Sequence, residues 1–368
     1  MAATARLQLK PAQVVRLLED GPERQRCLVQ VEDEAGAAEA LCYPSLTGPV
    51  QAGDRVWVNT AAVELGLGSG GFHLVAAVVT RPPAPGPLPG RIMKLRYTPW
   101  QLAVEAVEEA HPERVGEGSL EGLPVVVGAL HSQLLPVALA FQAASGGLSL
   151  AYVMTDGAAL PAFLSRSAAR LREQGLLAGV VTCGHAFGGD LEAVHPASGL
   201  VAARSVLGAA GAVVMMGPGI VGTGSRWGHT ALEQGSLLDL VAALGGDPIA
   251  VVRLGQHDPR SRHQGVSHHT LTALGQVAAR PATVVLPLRP LEERRLWYRQ
   301  LWEAGVLRRH RLVHLPVPER LIQRLAQEPE ASTMGRGVDK ERAFFEAALA
   351  AGWEAGRRAR QRQGGLNV

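Results

Sequence analysis

The chain has 368 residues, enough for two domains, and 47% of them are apolar, which excludes a disordered polymer. Its net charge of +3 is unevenly distributed: residues 289–368 hold 16 basic and 10 acidic side chains, whereas the remainder holds 20 and 23. The main body of the chain therefore lacks the basic surface that is typical of nucleic-acid-binding proteins.

Residues 1–80 have the pattern of a small β-barrel. Short apolar segments alternate with turns that contain glycine, proline and aspartate, which favours a barrel of the OB or SH3 kind. The glycine-rich segment 67–71 fits a tight turn better than a loop that approaches a ligand. The predicted strands span residues 14–18, 27–31, 39–43, 53–59 and 72–79.

A proline-rich run, residues 81–90, follows the predicted barrel. Consecutive prolines favour an extended, semi-rigid chain, so we expect a linker here and place the domain boundary in it. Next we expect a strand over 92–97 and a helix that begins near Pro99 and continues to Ala110, because proline is tolerated in the first turn of a helix.

From residue 123 onward, apolar strands alternate with amphipathic helices. This alternation predicts parallel βαβ units, and we assign residues 91–290 to a doubly wound, Rossmann-like α/β domain. Residues 291–368 are expected to be mostly helical and to pack on this domain, and the segment 312–317 is compatible with an edge strand. The predicted strands of the sheet span residues 124–130, 148–154, 177–182, 212–216, 249–254 and 283–286.

Polar residues that follow these strands are the candidates for a functional site. Ligands of open α/β sheets bind at the carboxyl ends of the strands, and parallel strands bring those ends to one edge. A polar loop at one strand end is ordinary, but the coincidence of several at the same edge is a functional signal. The catalytic candidates are His131, Asp156, His185, Asp190, His257, Asp258 and His268.

A glycine loop, residues 217–224, matches the GxGxxG pattern formally. Pro218 removes one amide donor and the next helix begins only near Thr230, so an anion-binding loop fits better than a dinucleotide site. The segment 332–337 combines hydroxyl groups, glycine and arginine ahead of the last helix, a composition suited to an anion. The binding candidates are Gly217, Gly219, Gly222, Thr223, Gly224, Ser225, Arg226, Arg262, Thr333 and Arg336.

The loop 256–270 carries four of the chain's 12 histidines together with several arginines. Imidazole is a common metal ligand, and His257, His263 and His268 lie near one another, but no fixed ligand spacing such as HExxH is present. A second interpretation is that Ser267 caps a helix and the loop does nothing else. A third, which fits best, gives acid–base work to His257 or His268 and substrate neutralisation to Arg262.

The sequence does not identify a nucleophile. Cys183 and Ser132 lie near histidines, but the chain has neither a GxSxG elbow nor a P-loop. The three cysteines lack a CxxC pair and no secretory leader opens the chain, so we expect a reducing, cytoplasmic location. The charge-free stretches 122–155 and 205–225 are interrupted by glycine and proline, which argues against membrane spans.

Seven segments together resemble one protein family, bacterial proteins grouped as domain of unknown function 3866. They are VELGLGSGGFH (63–73), IMKLRYTP (92–99), LHSQL (130–134), GHAFGGDLEAVH (184–195), GPGIVGTGSRWG (217–228), RHQGVSHHT (262–270) and STMGRG (332–337). The resemblance extends over nearly the whole chain. It implies a bacterial source and no particular activity, cofactor or catalytic residue.

We therefore expect a small anionic metabolite, bearing phosphate or carboxylate, to bind at the carboxyl edge of the sheet, where an enzyme would act on it. The glycine loop with Arg226 or Arg262 would hold the anion. Alternatives are a ligand-binding regulatory module without catalysis and a structural partner protein. Neither the cofactor nor the metal can be named, a nucleic-acid or membrane partner is not expected, and a homo-oligomer stays open.

Overall fold

The computed structural model describes residues 6–67, 71–81 and 83–365. The chain divides into two compact units, residues 1–104 and 105–368. Most of the predicted turn 67–71 and one position of the predicted linker, Pro82, lie outside the described residues. The proline-rich run belongs to the first unit by this division, and a domain boundary within 81–90 stays a prediction.

The first unit is built around a closed five-stranded barrel, as predicted. Along β2, Cys27, Val29 and Val31 point into the barrel core while the residues between them are more exposed, which is the period-two pattern of a half-buried strand. The strands close in the order β1-β2-β3-β5-β4. The elements are β1 (Leu9–Asp20), β2 (Gln25–Val31), β3 (Ala37–Cys42), α1 (Pro44–Thr47), β4 (Arg55–Asn59), α2 (Ala61–Glu64) and β5 (His73–Val78).

The predicted helix from Pro99 to Ala110 is wrong in its first half. An antiparallel hairpin forms instead between β6 (Ile92–Lys94) and β7 (Leu102–Val104). Leu95 and Tyr97 adopt positive φ angles of 50° and 62° in the connection, which reverses the chain and brings the two apolar segments together. Helical structure begins only at α3 (Val107–Ala110).

The second unit contains an eight-stranded, fully parallel sheet, which confirms the Rossmann-like architecture. Its strand order is β11-β10-β9-β12-β8-β13-β16-β17, and the pairs β14–β15 and β18–β19 form separate antiparallel ladders. The strands are β8 (Pro124–Val127), β9 (Leu150–Thr155), β10 (Gly179–Cys183), β11 (Leu191–Ala193), β12 (Gly211–Met216), β13 (Asp247–Val251), β14 (Leu254–Gly255), β15 (Gly265–Val266), β16 (Thr283–Pro287), β17 (Arg311–Leu315), β18 (Ser332–Thr333) and β19 (Arg336–Gly337).

Helices cover both faces of this sheet. Along β8, Val126 belongs to the core under one face, and Val125 and Val127 belong to the core under the other. This double coverage explains why the strands are continuous apolar runs. The helices are α4 (Pro112–Val115), α5 (Leu134–Ser145), α6 (Arg166–Glu173), α7 (Pro196–Ser205), α8 (Glu233–Ala243), α9 (His268–Thr272), α10 (Leu291–Glu303), α11 (Val306–Arg309), α12 (Glu319–Ala326) and α13 (Arg342–Gly365).

The two edges of the sheet differ in how well the sequence predicted them. Strand β17 forms the expected edge, whereas β11 lies in a segment interpreted as a polar loop. Three residues are too short for a periodicity signal, and pairing with β10 stabilises this strand. Within the described ranges, no helix is both long and apolar enough to cross a membrane.

Candidate functional site

The carboxyl edge of the parallel sheet gathers the loops that the sequence singled out. Strand β12 lies between β9 and β8. Helix α5, after β8, belongs mainly to one core, and α8, after β12, to the other, so the chain leaves neighbouring strands toward opposite faces. Such a switch in direction opens a crevice at the carboxyl end of an α/β sheet.

Four histidines meet at this edge, and we call His229, His263, His268 and His269 the histidine cluster. The rings of His229 and His269 are stacked with centroids 4.0 Å apart, and those of His268 and His269 are 4.4 Å apart. The ring of His263 lies 5.0 Å from both His268 and His269. Histidines from two separate loops therefore form one contiguous group.

A helix cap holds three of these rings in place. The Ser267 hydroxyl accepts a hydrogen bond from the His269 amide at the start of α9, as predicted for a capping serine. The same hydroxyl lies 2.7 Å from Nδ1 of His263. Pairing of β14 with β15 closes the base of the intervening loop. The serine thus fixes the first turn of α9 and the ring of His263 together.

Burial keeps the histidine cluster uncharged. Desolvation, followed by repulsion from neighbouring cations and imidazoles, lowers the pKa of His263 to about 3, of His268 to about 4 and of His269 to about 2. Burial also lowers the pKa of His229, while the main chain of Arg226 acts in the opposite direction. At neutral pH each ring therefore has one nitrogen that can accept or coordinate.

Several nitrogens of the cluster lack a hydrogen-bond partner. Nε2 of His268 and at least one ring nitrogen of His229 are buried without one among the described residues, since the main chain of Arg226 can engage only one nitrogen of His229. One ring nitrogen from each of His229, His268 and His269 lies within 4.8 Å of the others. Unpaired buried polar groups are costly and uncommon, so this convergence suggests a ligand.

Arg253 determines which nitrogen of His269 carries the proton. Its guanidinium donates from Nη1 to Nδ1 of His269 over 3.0 Å, and its Nη2 lies 3.8 Å from Asp258 Oδ2. Arginine can only donate, so neutral His269 carries its proton on Nε2. Burial lowers the pKa of Arg253 to about 10, opposed by the charge of Asp258, and the side chain remains a cation at neutral pH.

Asp258 is the anchor of an ion-pair network. Arg260 donates to both carboxylate oxygens, at 2.9 and 2.8 Å, and Arg336 donates over 3.2 Å. The hydrogen bonds from Arg260 hold the pKa of Asp258 far below its usual range, against the opposing effect of burial. The structure thus brings together the predicted residues Asp258 and Arg336, as a fixed charge and its partner.

The glycine loop lies against the cluster and against Arg262. A Cβ built on Gly222 would lie 3.3 Å from Nε2 of His269, and one built on Gly224 would lie 3.3 Å from Cζ of Arg262. Bonds inside the loop region use the amides of Val221, Thr223, Ser225 and Gly228. Helix α8 begins only at Glu233, after a 3₁₀ turn over Thr230–Leu232, so the helix does not open directly at the loop.

Two carboxylates lie near the carboxyl end of β9: Asp156 follows this strand directly, and Glu233, the first residue of α8, contacts its last residue, Thr155. Glu233 accepts a hydrogen bond of 2.9 Å from the Thr155 hydroxyl, and burial together with the charge of Asp156 raises its pKa. Asp156 is exposed and accepts from the His185 amide over 2.9 Å. The predicted residues Asp156 and His185 are therefore connected by a hydrogen bond to the His185 main chain, and Glu233, which was not predicted, lies near Asp156.

His131 belongs to an internal hydrogen-bonded chain. Its Nε2 lies 2.7 Å from the Ser165 hydroxyl and its Nδ1 lies 3.3 Å from the Tyr152 hydroxyl, which also reaches the carbonyl of Met216 at 3.2 Å. Burial lowers the pKa of His131 to about 4. Thr333 lies 3.2 Å from the Ser132 hydroxyl, next to this chain. Ser165 caps α6 and is buried, and the Tyr152 hydroxyl binds the Met216 carbonyl, so this hydrogen-bonded series of side chains is held at both ends.

In the described ranges, neither His257 nor Asp190 makes a hydrogen bond to the histidine cluster. The exposed His257 donates from Nδ1 to the Lys340 carbonyl over 2.6 Å. The Asp190 carboxylate accepts from the Val180 amide near the amino end of β10 and pairs with Arg172. The expectation that Asp190 lies at the carboxyl edge is wrong, because the chain runs back along β10 before β11 starts in parallel.

Sequence reasoning missed His229, His269, Arg253 and Glu233 as site residues. His229 and Glu233 follow the glycine loop, 13 and 17 residues after the last residue of β12, Met216, and so do not adjoin a predicted strand end. Arg253 lies two residues after β13, at a position where an apolar strand was expected to continue. The doublet of His268 and His269 was the available signal, since adjacent histidines at a helix start can both face a pocket.

One family model, described as "Protein of unknown function (DUF3866)", matches residues 39–352. No curated protein and no solved structure matches the chain. The match includes the later part of the barrel, the whole parallel sheet and every residue of the histidine cluster. The chain therefore belongs to the DUF3866 family, whose function that description leaves undefined.

Proposed function

We propose that this protein is an enzyme that acts on a small anionic metabolite, bearing phosphate or carboxylate, at the carboxyl edge of its parallel sheet. The observation that carries the proposal is the meeting of the glycine loop with both Arg262 and His269, at Gly224 and Gly222 respectively. A glycine-rich main chain, a guanidinium and uncharged imidazoles are the groups that recur where anions are bound and protons are moved.

Each group has a separate role in this proposal. Arg262 is exposed and pairs with no acidic side chain in the described part of the chain, so its charge is available to a phosphate or carboxylate. The buried imidazoles are neutral and act as proton acceptors. An anion bound beside them raises their pKa values toward neutrality, because it favours the protonated form.

A ligand-binding module without catalysis is the second candidate, and one observation favours it. The pKa values of His263, His268 and His269 are about 4 or lower, whereas proton transfer at neutral pH works best with groups that titrate near 7. In this case the cluster would recognise the metabolite by hydrogen bonds alone.

The test compares ligand-induced thermal shifts for the intact protein, Arg262→Ala and the control Arg320→Ala, which removes an exposed arginine from α12. The panel contains inorganic phosphate and phosphorylated and carboxylated metabolites. Loss of a charge-assisted contact of about 1.5–3 kcal/mol weakens binding by about ten- to more than a hundredfold in Arg262→Ala only.

Turnover of any stabilising compound by the intact protein separates the enzyme from the binding module. Equal ligand-induced thermal shifts in all three proteins would show that Arg262 does not contact the ligand. A panel that stabilises none of them, with nothing found by mass spectrometry of the purified protein, would contradict both candidates and favour a structural partner protein.

A further inference from the structure

We propose that His229, His268 and His269 form a binding site for a divalent transition metal of the Zn²⁺ class. The site goes beyond the proposed handling of an anion and does not depend on it. Three neutral imidazoles contributed by two loops are its donors, and no carboxylate is needed.

The spacing of the donors suits such an ion. One ring nitrogen from each histidine lies within 4.8 Å of the others. Zinc binds imidazole nitrogen at about 2.0–2.1 Å, which places two nitrogens of a tetrahedral site about 3.4 Å apart. Small side-chain rotations close the remaining difference of at most about 1.4 Å, since His268 is only half-buried.

The unpaired nitrogens provide a second, independent observation. Nε2 of His268 and at least one ring nitrogen of His229 are buried without a hydrogen bond in the described parts of the chain, since the main chain of Arg226 can engage only one nitrogen of His229. A metal ion would satisfy Nε2 of His268 and one nitrogen of His229, where no protein group does.

The donor set also selects the kind of metal. Imidazole nitrogen suits zinc, copper, nickel, cobalt and iron, whereas magnesium and calcium require oxygen ligands. Three protein ligands leave a fourth position open, as in catalytic rather than structural zinc sites. An oxygen of an anionic ligand beside Arg262 is the class of group that would occupy it.

Arg253 competes with the metal for His269. While the guanidinium donates to Nδ1, neutral His269 carries its proton on Nε2, and neither nitrogen is free to coordinate. Asp258 lies 3.8 Å from the same guanidinium and offers it an alternative partner. Metal binding therefore requires that Arg253 move from His269 toward Asp258, which would shorten that ion pair.

This competition makes a specific prediction. Arg253→Met removes the donor and one nearby positive charge, and Asp258 keeps Arg260 and Arg336 as partners. The variant should bind Zn²⁺ at least tenfold more tightly than the intact protein. His229→Ala and His268→Ala should each weaken binding at least tenfold, and the control His111→Ala, outside the cluster, should bind as the intact protein does.

Isothermal titration of chelator-stripped full-length protein with ZnCl₂ and with MgCl₂, in phosphate-free buffer, measures these affinities. Cobalt absorption spectra report coordination independently, and circular dichroism checks that each variant is folded. One zinc per chain, no response to magnesium and the stated order of affinities support the site.

Two results would overturn the proposal: no zinc binding by either the intact protein or Arg253→Met, or unchanged binding in both histidine variants. Phosphate binding by the same metal-free samples is measured separately. Failure of the metal site therefore remains distinct from failure of the anion site.

Discussion

Arg253 shows how a single buried residue controls the chemistry of its neighbours. Its hydrogen bond to His269 assigns the proton to Nε2 of that ring, and its position near Asp258 links the histidine cluster to the network that includes Arg260 and Arg336. The cluster is thus a group of neutral bases beside fixed positive charges. On the proposals above, this environment would accept an anion directly and a metal only after Arg253 moves.

At the same scale, acidification from pH 7 to pH 5 should destabilise the protein. The pKa values of His263, His268 and His269 are about 4 or lower in the folded state, whereas an unfolded histidine titrates near about 6.5. Within this window the unfolded chain binds more protons than the folded one. The contribution of these three histidines to the free energy of unfolding is therefore fully present above about pH 6.5 and is lost as the pH falls.

Denaturant unfolding at pH 7, 6 and 5, with chelator present, measures this dependence. His269→Gln removes one of the titrating groups while its amide oxygen still accepts from Arg253. The free energy of unfolding of this variant should change less steeply with pH, and the difference in slope should correspond to about one proton. The same slope in the variant and the intact protein would show that His269 is not held uncharged.

Among the elements, the contact between α5 and α13 is unusually close. A Cβ on Gly352 would collide with the carbonyl oxygen of Val137, and one on Gly356 would collide with that of Phe141. The two glycines lie one turn apart on the same side of α13, so the helix backbone can approach α5 directly. This packing encloses Phe141, Phe344 and Phe345 in the core on that face.

Gly352→Ala and Gly356→Ala should therefore each destabilise the protein by about 1–3 kcal/mol, since neither backbone can move without repacking the core. Gly364→Ala is the matched control. Nothing lies within 4 Å of its Cβ position, so alanine should stabilise the helix by up to about 1 kcal/mol. Urea unfolding measures the change in the free energy of unfolding. A decrease in the two contact variants with an increase in the control supports the close contact, and an increase in all three variants would contradict it.

For the molecule as a whole, ion pairs account for part of the basic charge near the C-terminus. Arg358 binds both carboxylate oxygens of Asp247 at 2.6 Å, and Arg357 and Arg358 both bind Glu354. These guanidiniums are engaged within the second unit. Residues 289–368 hold 16 basic and 10 acidic residues, and Asp247, from outside this segment, neutralises one of the excess positive charges.

We accordingly expect no specific binding of nucleic acid. Fluorescence anisotropy with labelled duplex DNA and single-stranded RNA, at 150 mM salt, should give dissociation constants weaker than about 10⁻⁶ M. The titration is repeated at 50 mM salt. Tight binding, with an association constant whose logarithm falls steeply with the logarithm of the salt concentration, would reveal several phosphate contacts. It would contradict this expectation.

Local pattern was sufficient to predict most of the elements in both units. Residues such as Cys27, Val29 and Val31 alternate along a barrel strand, and Val125, Val126 and Val127 form a run that both helical layers cover. These signals depend on neighbours in the chain. The hairpin β6–β7 and strand β11 were missed because each short segment is stabilised by a partner that local periodicity does not show.

The sequence by itself determined the fold class and the edge where function was sought, because parallel strands bring their carboxyl ends together. Only the tertiary structure decided which polar residues meet there. His229 lies 40 residues before His269, yet their rings stack at 4.0 Å, while Asp190 lies near the other end of β10 and His257 binds the Lys340 carbonyl. Loop paths and close approaches of glycine fix these distances, and both depend on contacts between residues far apart in the chain.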